Sequence, residues 1–451
     1  MKSFEDQPQV SLYDRLRNSV LLKLAFIGIL ILVLLIPTVW IQNLITERAG
    51  RQNEVIREVA ASWSDSQQVK GPTLLIPYRY YSQVKDTSKK ANGQLSIHLL
   101  PDVLHIKANV QSSVLHRGIF NVIVYNSKLN IAGSFSPPDL RKLNIDPNLV
   151  MYDKARLVLG MTDLKGLKNA AVITVGDTAQ NAEPVFDSDA GISDGIQVPV
   201  KAQTINSGHI PFSVVLDIKG SQKLSFMQLS QNTDVEVTGD WPHPSFEGRY
   251  LPDERTVDAK GFSAVWKMAF NRILPRQWAT DATLINDDKT IEQTSFGVKL
   301  LQPVDQYQQT MRTSKYGVLI IILTFVSLFL TELIRQQRVH VFNYVLIGAA
   351  MVVYYTLLLS FSEQIGYNLA YLVASIATIG LISFFLASIL KNKGAATLFA
   401  FILTVIYGFI YIIVRLEDYA LMVGSIALFI IVAMLMYFSH KINWDKRDSV
   451  N

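Results

Sequence analysis

The sequence predicts a multi-pass α-helical membrane protein with a large β-rich, sandwich-like exported domain. Three observations lead there. Apolar residues concentrate in two blocks, residues 20–41 and 316–438, with mixed polar sequence between them, whereas a soluble chain spreads them through every element. Stretches inside those blocks approach the ~20 residues a helix needs to cross a bilayer core of about 30 Å. The sequence between the blocks alternates apolar and polar residues with period two, the pattern of half-buried antiparallel strands.

The elements follow in chain order. Residues 1–19 form an N-terminal tail, and residues 20–41 (VLLKLAFIGILILVLLIPTVWI) the first span. A cleavable signal peptide is the alternative, but its apolar core is typically about 7–15 residues and no A-x-A site follows here, so an uncleaved anchor is expected. Residues 42–315 form the exported domain. It opens with an amphipathic helix over 43–66, carrying Ile56, Val59, Ala60 and Trp63 on one face. Gly71-Pro72 is expected to end that helix and Leu74 to begin extended structure. Strand runs centre on Leu104–Val110, Phe120–Val124, Leu129–Phe135, Phe212–Ile218, Val235–Val237, Phe262–Met268 and Phe296–Leu300. Ser136-Pro137-Pro138-Asp139 and Ser207-Gly208 mark turns between them, and 174–198 reads as a loop. Five further spans at 316–334, 341–361, 369–390, 396–414 and 421–438 form a bundle, followed by a tail at 439–451.

Lys and Arg near span ends resist translocation, so their placement orients the chain. Lys2, Arg15, Arg17, Arg335, Arg338, Lys391, Lys393, Lys441, Lys446 and Arg447 all fall on one side, and only Arg415 lies in the turns 362–368 and 415–420. Both termini are therefore expected in the cytoplasm, with 42–315 outside. Inside the spans, Lys23 can snorkel to its near interface and Glu332 lies near the same side. Thr324, Tyr354, Thr356, Ser375, Thr378 and Thr404 at span centres read as helix-packing groups. A proton-coupled carrier would be expected to keep at least one buried carboxylate, and none is visible.

Composition narrows the chemistry. With no cysteine among 451 residues and a net charge of only +5, thiolate chemistry and Cys-ligated zinc are excluded, and no basic stripe with interleaved aromatics points to nucleic acid. His98 and His105 are seven positions apart on strand-like sequence and read better as half-exposed strand histidines than as a metal pair. Asp187-Ser188-Asp189-Ala190-Gly191 resembles the start of a calcium loop, but Gly191 stands at the third ligand position and no Glu closes it, so a solvated turn is expected. No cofactor is expected. Ser245 and His243 lack the context of a nucleophile elbow, and Gly261-Phe262-Ser263-Ala264-Val265 breaks that motif at its last position; no catalytic residue is assigned.

The least ordinary stretch is Trp241-Pro242-His243-Pro244-Ser245-Phe246-Glu247-Gly248. Two prolines hold the backbone on both sides of His243. Trp241, His243, Phe246 and Glu247 are the candidate partner surface; the alternative is a strand end locked against the core by its aromatics.

Four segments carry a resemblance. WPHPSFEGRYLPDERTVDAKGFSAVW (241–266), LHRGIFNVIVYNSKLNIAGSF (115–135), FGVKLLQPVDQYQQTMRTSKYGVLIIILTF (296–325) and WSDSQQVKGPTLLIP (63–77) look like the signature regions of the CreD family of inner-membrane cell-envelope integrity proteins. The resemblance implies location in the inner membrane of a Gram-negative cell, association with a two-component regulatory system and a part in envelope integrity or the stress response. It supplies no catalytic residues or ligand, and it does not extend to 174–198 or 444–451.

The function expected is therefore that of a non-enzymatic inner-membrane protein, embedded in the lipid bilayer, whose periplasmic domain binds an unknown envelope or periplasmic partner. Transport or lipid handling by the bundle is the alternative; a periplasmic hydrolase would need a convergent site that the sequence does not display.

Overall fold

The computed structural model describes residues 20–83, 90–185, 194–270, 273–279, 285, 287–302, 306–335, 339–390, 393–416 and 419–441. The N-terminal tail and the calcium-like loop at 187–191 lie outside them. The chain forms two units, one from Met1–Gln52 with Val304–Asn451 and one from Asn53–Pro303.

Helix α1 (Val20–Trp63) is one uninterrupted helix of 44 residues, not a span followed by a separate amphipathic helix. Pro37 lies inside it, and the Thr38 hydroxyl donates to the Leu34 carbonyl at 2.9 Å. Its polar half buries Val55, Val59 and Ala60, close to the predicted face. Gly71-Pro72 does not end the helix, which stops at Trp63; the pair instead lies at a register shift inside the first strand, where a bulge tolerates the missing proline N–H.

The strand-rich unit is built from two sheets. The first contains β1 (Gln67–Gln83), β2 (Lys90–Leu99), β5 (Arg156–Met161), β8 (Glu183–Pro184), β9 (Gly195–Pro199), β11 (Lys223–Met227), β13 (Pro244–Gly248), β16 (Gln277–Trp278) and β17 (Ser295–Leu300). The second contains β3 (Val103–Arg117), β4 (Phe120–Phe135), β6 (Val172–Val175), β7 (Thr178–Asn181), β10 (Ile210–Ser221), β12 (Asn232–Gly239), β14 (Glu254–Asp258) and β15 (Gly261–Ala269). Their orders are β13-β17-β11-β1-β5-β9-β8, with β2 and β16 branching from β1, and β14-β15-β12-β3-β4-β10-β6-β7. One core joins them, with Leu74, Ile76, Leu157 and Phe226 from the first sheet packed with Ile106, Leu129, Leu216 and Trp266 from the second.

The sheets are mixed rather than purely antiparallel, since β1 pairs with β11, and β12 with β3, in parallel. The segment read as a loop at 174–198 supplies β7, β8 and most of β9. Every alternating run predicted from sequence is a strand. Two of the strands that alternation did not reveal, β1 and β5, are buried on both faces: Leu74, Leu75 and Ile76 are all enclosed, and β5 is buried from Leu157 to Met161. Their outward side chains Leu75 and Val158 pack with Val185, which removes the polar half of the period. Two short helices, α2 (Ala202–Asn206) and α3 (Asp288–Thr294), complete the unit.

The other unit continues with α4 (Gln306–Lys315), α5 (Gly317–Arg335), α6 (Val341–Ile365), α7 (Tyr367–Leu390), α8 (Lys393–Arg415) and α9 (Ala420–Lys441). The first span, α6, α7 and α8 are each long and apolar enough to cross a membrane, and α4 with α5 form a pair bent by 42° that passes the same test together. In α9 the described apolar stretch is Met422–Ala433. Helix α6 runs four residues past the predicted end of its span, so the turn expected at 362–368 shrinks to Gly366.

Candidate functional site

The unusual 241–248 stretch becomes an edge. Proline lacks a backbone donor and is confined to sheet edges and strand ends; accordingly β13, which begins at Pro244, pairs among the described residues only with β17 and ends the first sheet. Phe246 points between the sheets, edge-on to Phe262 at 6.1 Å and Trp266 at 5.9 Å. Trp241 packs on the same core, its indole N–H donating to the Leu301 carbonyl at 2.9 Å. Glu247, on the opposite side of the pleat, lies 3.5 Å from Lys223 and 3.7 Å from Lys299. The His243 side chain is exposed, while its carbonyl accepts the Leu301 N–H. Of the four candidates, the two aromatics are thus turned inward, as in the locked-strand alternative, and His243 is open to solvent.

Five residues later the chain forms the edge of the other sheet. Among the described residues strand β14 pairs only with β15, and it is exposed at every position. The turn that returns from it depends on two groups. The Asp258 carboxylate accepts the N–H groups of Lys260 at 2.7 Å and Gly261 at 3.1 Å. Gly261 takes φ +147°, with the Gly239 carbonyl oxygen where a Cβ would sit, so only glycine fits without displacement. One segment, 244–258, therefore ends both sheets and presents on each a strand edge that is unpaired among the described residues. The sequence signals were the prolines for β13 and Asp258 with Gly261 for the β14 hairpin; that both strands are terminal depends on distant pairings. Mixed charges, Glu254, Arg255 and Asp258, lie along β14, with Lys260 in the turn after it, and oppose its pairing with copies of itself.

A second signature segment has a structural use. Residues 118–119 form the turn of the long β3–β4 hairpin, with Gly118 at φ +61°, and Arg117, just before it, pairs with Glu58 of α1 at 2.8 Å.

The histidines do not converge. His98 is buried, contrary to the half-exposed position expected, and stacks on Trp278 at 4.9 Å and 5°. Burial lowers its pKa to about 4, because the interior disfavours the imidazolium. His105 lies 3.1 Å from Asp234. Among the described residues no group of three or more His, Asp or Glu side chains could hold a metal ion.

In the helical unit, Lys23 is ion-paired. Its ammonium pairs with both Glu332 carboxylate oxygens and donates to the Val339 carbonyl at 2.8 Å, while the Tyr344 hydroxyl donates to Glu332 at 3.0 Å. Glu363, placed by sequence in an exposed turn, lies in α6 and accepts from the Tyr307 hydroxyl at 2.9 Å, with Arg48 at 4.0 Å. The side chains of Glu332 and Glu363 are only 13% and 12% exposed. Two enclosed carboxylates thus exist that the sequence did not reveal, because both lie near span ends. Of the polar groups at span centres, Thr324, Tyr354, Ser375 and Thr378 are buried between helices. Thr356 and Thr404 lie on the outer helix surface and bond to their own helix carbonyls.

Comparison with known proteins bears on all of these segments together. The family model described as "Inner membrane protein CreD" matches residues 19–445. Inner membrane protein CreD of Escherichia coli (strain K12) is 30% identical over 417 residues, which cover 92% of this chain and 91% of that protein.

Proposed function

Given that this chain belongs to the CreD family of inner-membrane proteins, we propose that it is a non-enzymatic envelope component whose strand-rich unit faces the periplasm and docks an envelope partner along the edges formed by residues 241–258. The observation that carries this reading is the placement of β13 and β14 at the ends of their sheets. An open strand edge can accept a further strand through main-chain hydrogen bonds, with neighbouring side chains giving selectivity. His243, Leu251 and Val257 are the exposed groups beside those bonds. The role served is support of envelope integrity under stress.

The test is in-cell photo-crosslinking from a photoreactive residue at His243 or Val257, with a third probe at Val215 on the exposed face of β10. A protein captured from the two edge positions and not from Val215, and lost in Val257→Pro, is the expected result. Capture of lipid alone, or equal capture from all three positions, would refute edge docking. Unchanged sensitivity to envelope-targeting agents on both deletion and overexpression would refute the integrity role.

A further inference from the structure

The interior of the helical unit contains a tyrosine cluster that packing alone does not explain. Tyr354 and Tyr355 on α6, Tyr371 on α7 and Tyr407 on α8 are all buried. The Tyr354 ring lies 4.9 Å from Tyr355 and 4.9 Å from Tyr407, at steep angles. Tyr371 joins at 6.1 Å and donates its hydroxyl to the Tyr407 main-chain carbonyl at 2.6 Å. The hydroxyls of Tyr355 and Tyr407, like that of Tyr354, have no protein partner among the described residues, and the side chains of Tyr355 and Tyr407 are 1% and 2% exposed. An enclosed hydroxyl without a partner is destabilising, and phenylalanine would fill the same volume without that cost.

A second feature lies at the same place. The Tyr355 hydroxyl sits 2.7 Å from where a Cβ of Gly317 would be. Gly317 is the first residue of α5, at the 42° break that separates it from α4. Interrupted spans free backbone polar groups and mark binding sites in several membrane folds. From the cluster, ring contacts continue through Tyr371 to Tyr411, whose hydroxyl donates to Asn368 and whose ring lies under Arg415. An aromatic path therefore links the cluster to the Arg415 end of α8.

We propose that Tyr355 and Tyr407 form a binding site for an uncharged lipid that offers an ester or alcohol oxygen as hydrogen-bond acceptor. The donors are phenols and call for an acceptor. The cluster itself contains no acid or base to neutralise a charged headgroup, which would be costly to enclose here. The lining is aromatic and suits an apolar body. This site is separate from the strand edges and stands whether or not they bind a partner.

The test uses the full chain in phosphatidylcholine nanodiscs, with thermal unfolding followed as dioleoylglycerol or anionic dioleoylphosphatidylglycerol is titrated in. Dioleoylglycerol is expected to raise the wild-type midpoint by roughly 3 °C near saturation, and the anionic lipid to leave it unchanged. In Tyr355→Phe and Tyr407→Phe the basal midpoint should equal or exceed that of the wild type, while the rise with dioleoylglycerol is reduced, and in the double variant abolished. Gly317→Ala, which crowds the Tyr355 hydroxyl, should reduce it as well. No rise in the wild type, or the same rise in all variants, would overturn the proposal and leave the two hydroxyls to internal water. An equal rise with the anionic lipid would overturn the requirement for an uncharged ligand.

Discussion

His98 is the residue whose chemistry is most altered by its surroundings. Its folded pKa of about 4 lies below the ordinary value near 6.5. Both states are neutral above that value. As pH falls through 6.5 the unfolded chain takes up a proton that the folded chain refuses, so stability is lost progressively until about pH 4. The loss attributable to this site is about 3 kcal/mol. His98→Phe keeps a ring on Trp278 and removes the titration; unfolding midpoints of the two proteins should converge with the wild type's falling more steeply between pH 6.5 and 4. Parallel curves would show that His98 carries none of the dependence. In the core, Trp266 is fully enclosed, donates its N–H to the Tyr250 carbonyl at 3.1 Å and touches Phe246 and Phe296. Trp266→Ala should cost about 3–5 kcal/mol, read from denaturant unfolding, and should loosen β13 because Phe246 loses its neighbour.

At the scale of elements, two ion pairs tie α1 to the rest of its unit. Lys23 meets α5 through Glu332, and Arg48 meets α6 through Glu363. The two cations are 25 positions apart, about 37 Å along a helix, enough to bracket a hydrocarbon core. Lys23 with Glu332 is the better enclosed, so removing one partner leaves a charge without its counterpart. Glu332→Ala should lower stability by about 3–5 kcal/mol, and Lys23→Met combined with Glu332→Leu should restore most of it; thermal unfolding in detergent measures both. Equal losses in the single and double variants would show that the helices pack without the pair. In the strand-rich unit, Gly261→Ala places a methyl against the Gly239 carbonyl. It should open the β14–β15 hairpin first, seen as faster amide exchange from Glu254 to Asp258 with β3 and β4 unchanged.

For the whole molecule, the cationic tethers predict that 42–315 lies outside the cytoplasm. An alkaline phosphatase fused after residue 150 should be active and a green fluorescent protein at the same point dark; the reverse would overturn the orientation. Much of the architecture was legible because it depends on local regularities. Five of the six predicted spans lie within helices and the sixth starts one residue before α5, since a bilayer demands length and apolarity from each one separately, and β3, β10, β12, β15 and β17 alternate because one face of each meets the core. The candidate surface was half legible: Pro242 and Pro244 announced a constrained strand end, but the inward turn of Trp241 and Phe246 required knowing that β15 lies opposite.

The sequence alone determined the division into membrane helices and a strand-rich domain, the family, and most strands with one wet face, because each of these is written in neighbouring residues. Tertiary structure decided the rest. It brought Lys23 to Glu332 across 309 positions, placed β13 and β14 at sheet ends, enclosed His98 and Glu363, and gathered tyrosines from three helices. Such arrangements depend on which surfaces meet, and pairing between distant segments leaves no period in the chain to read.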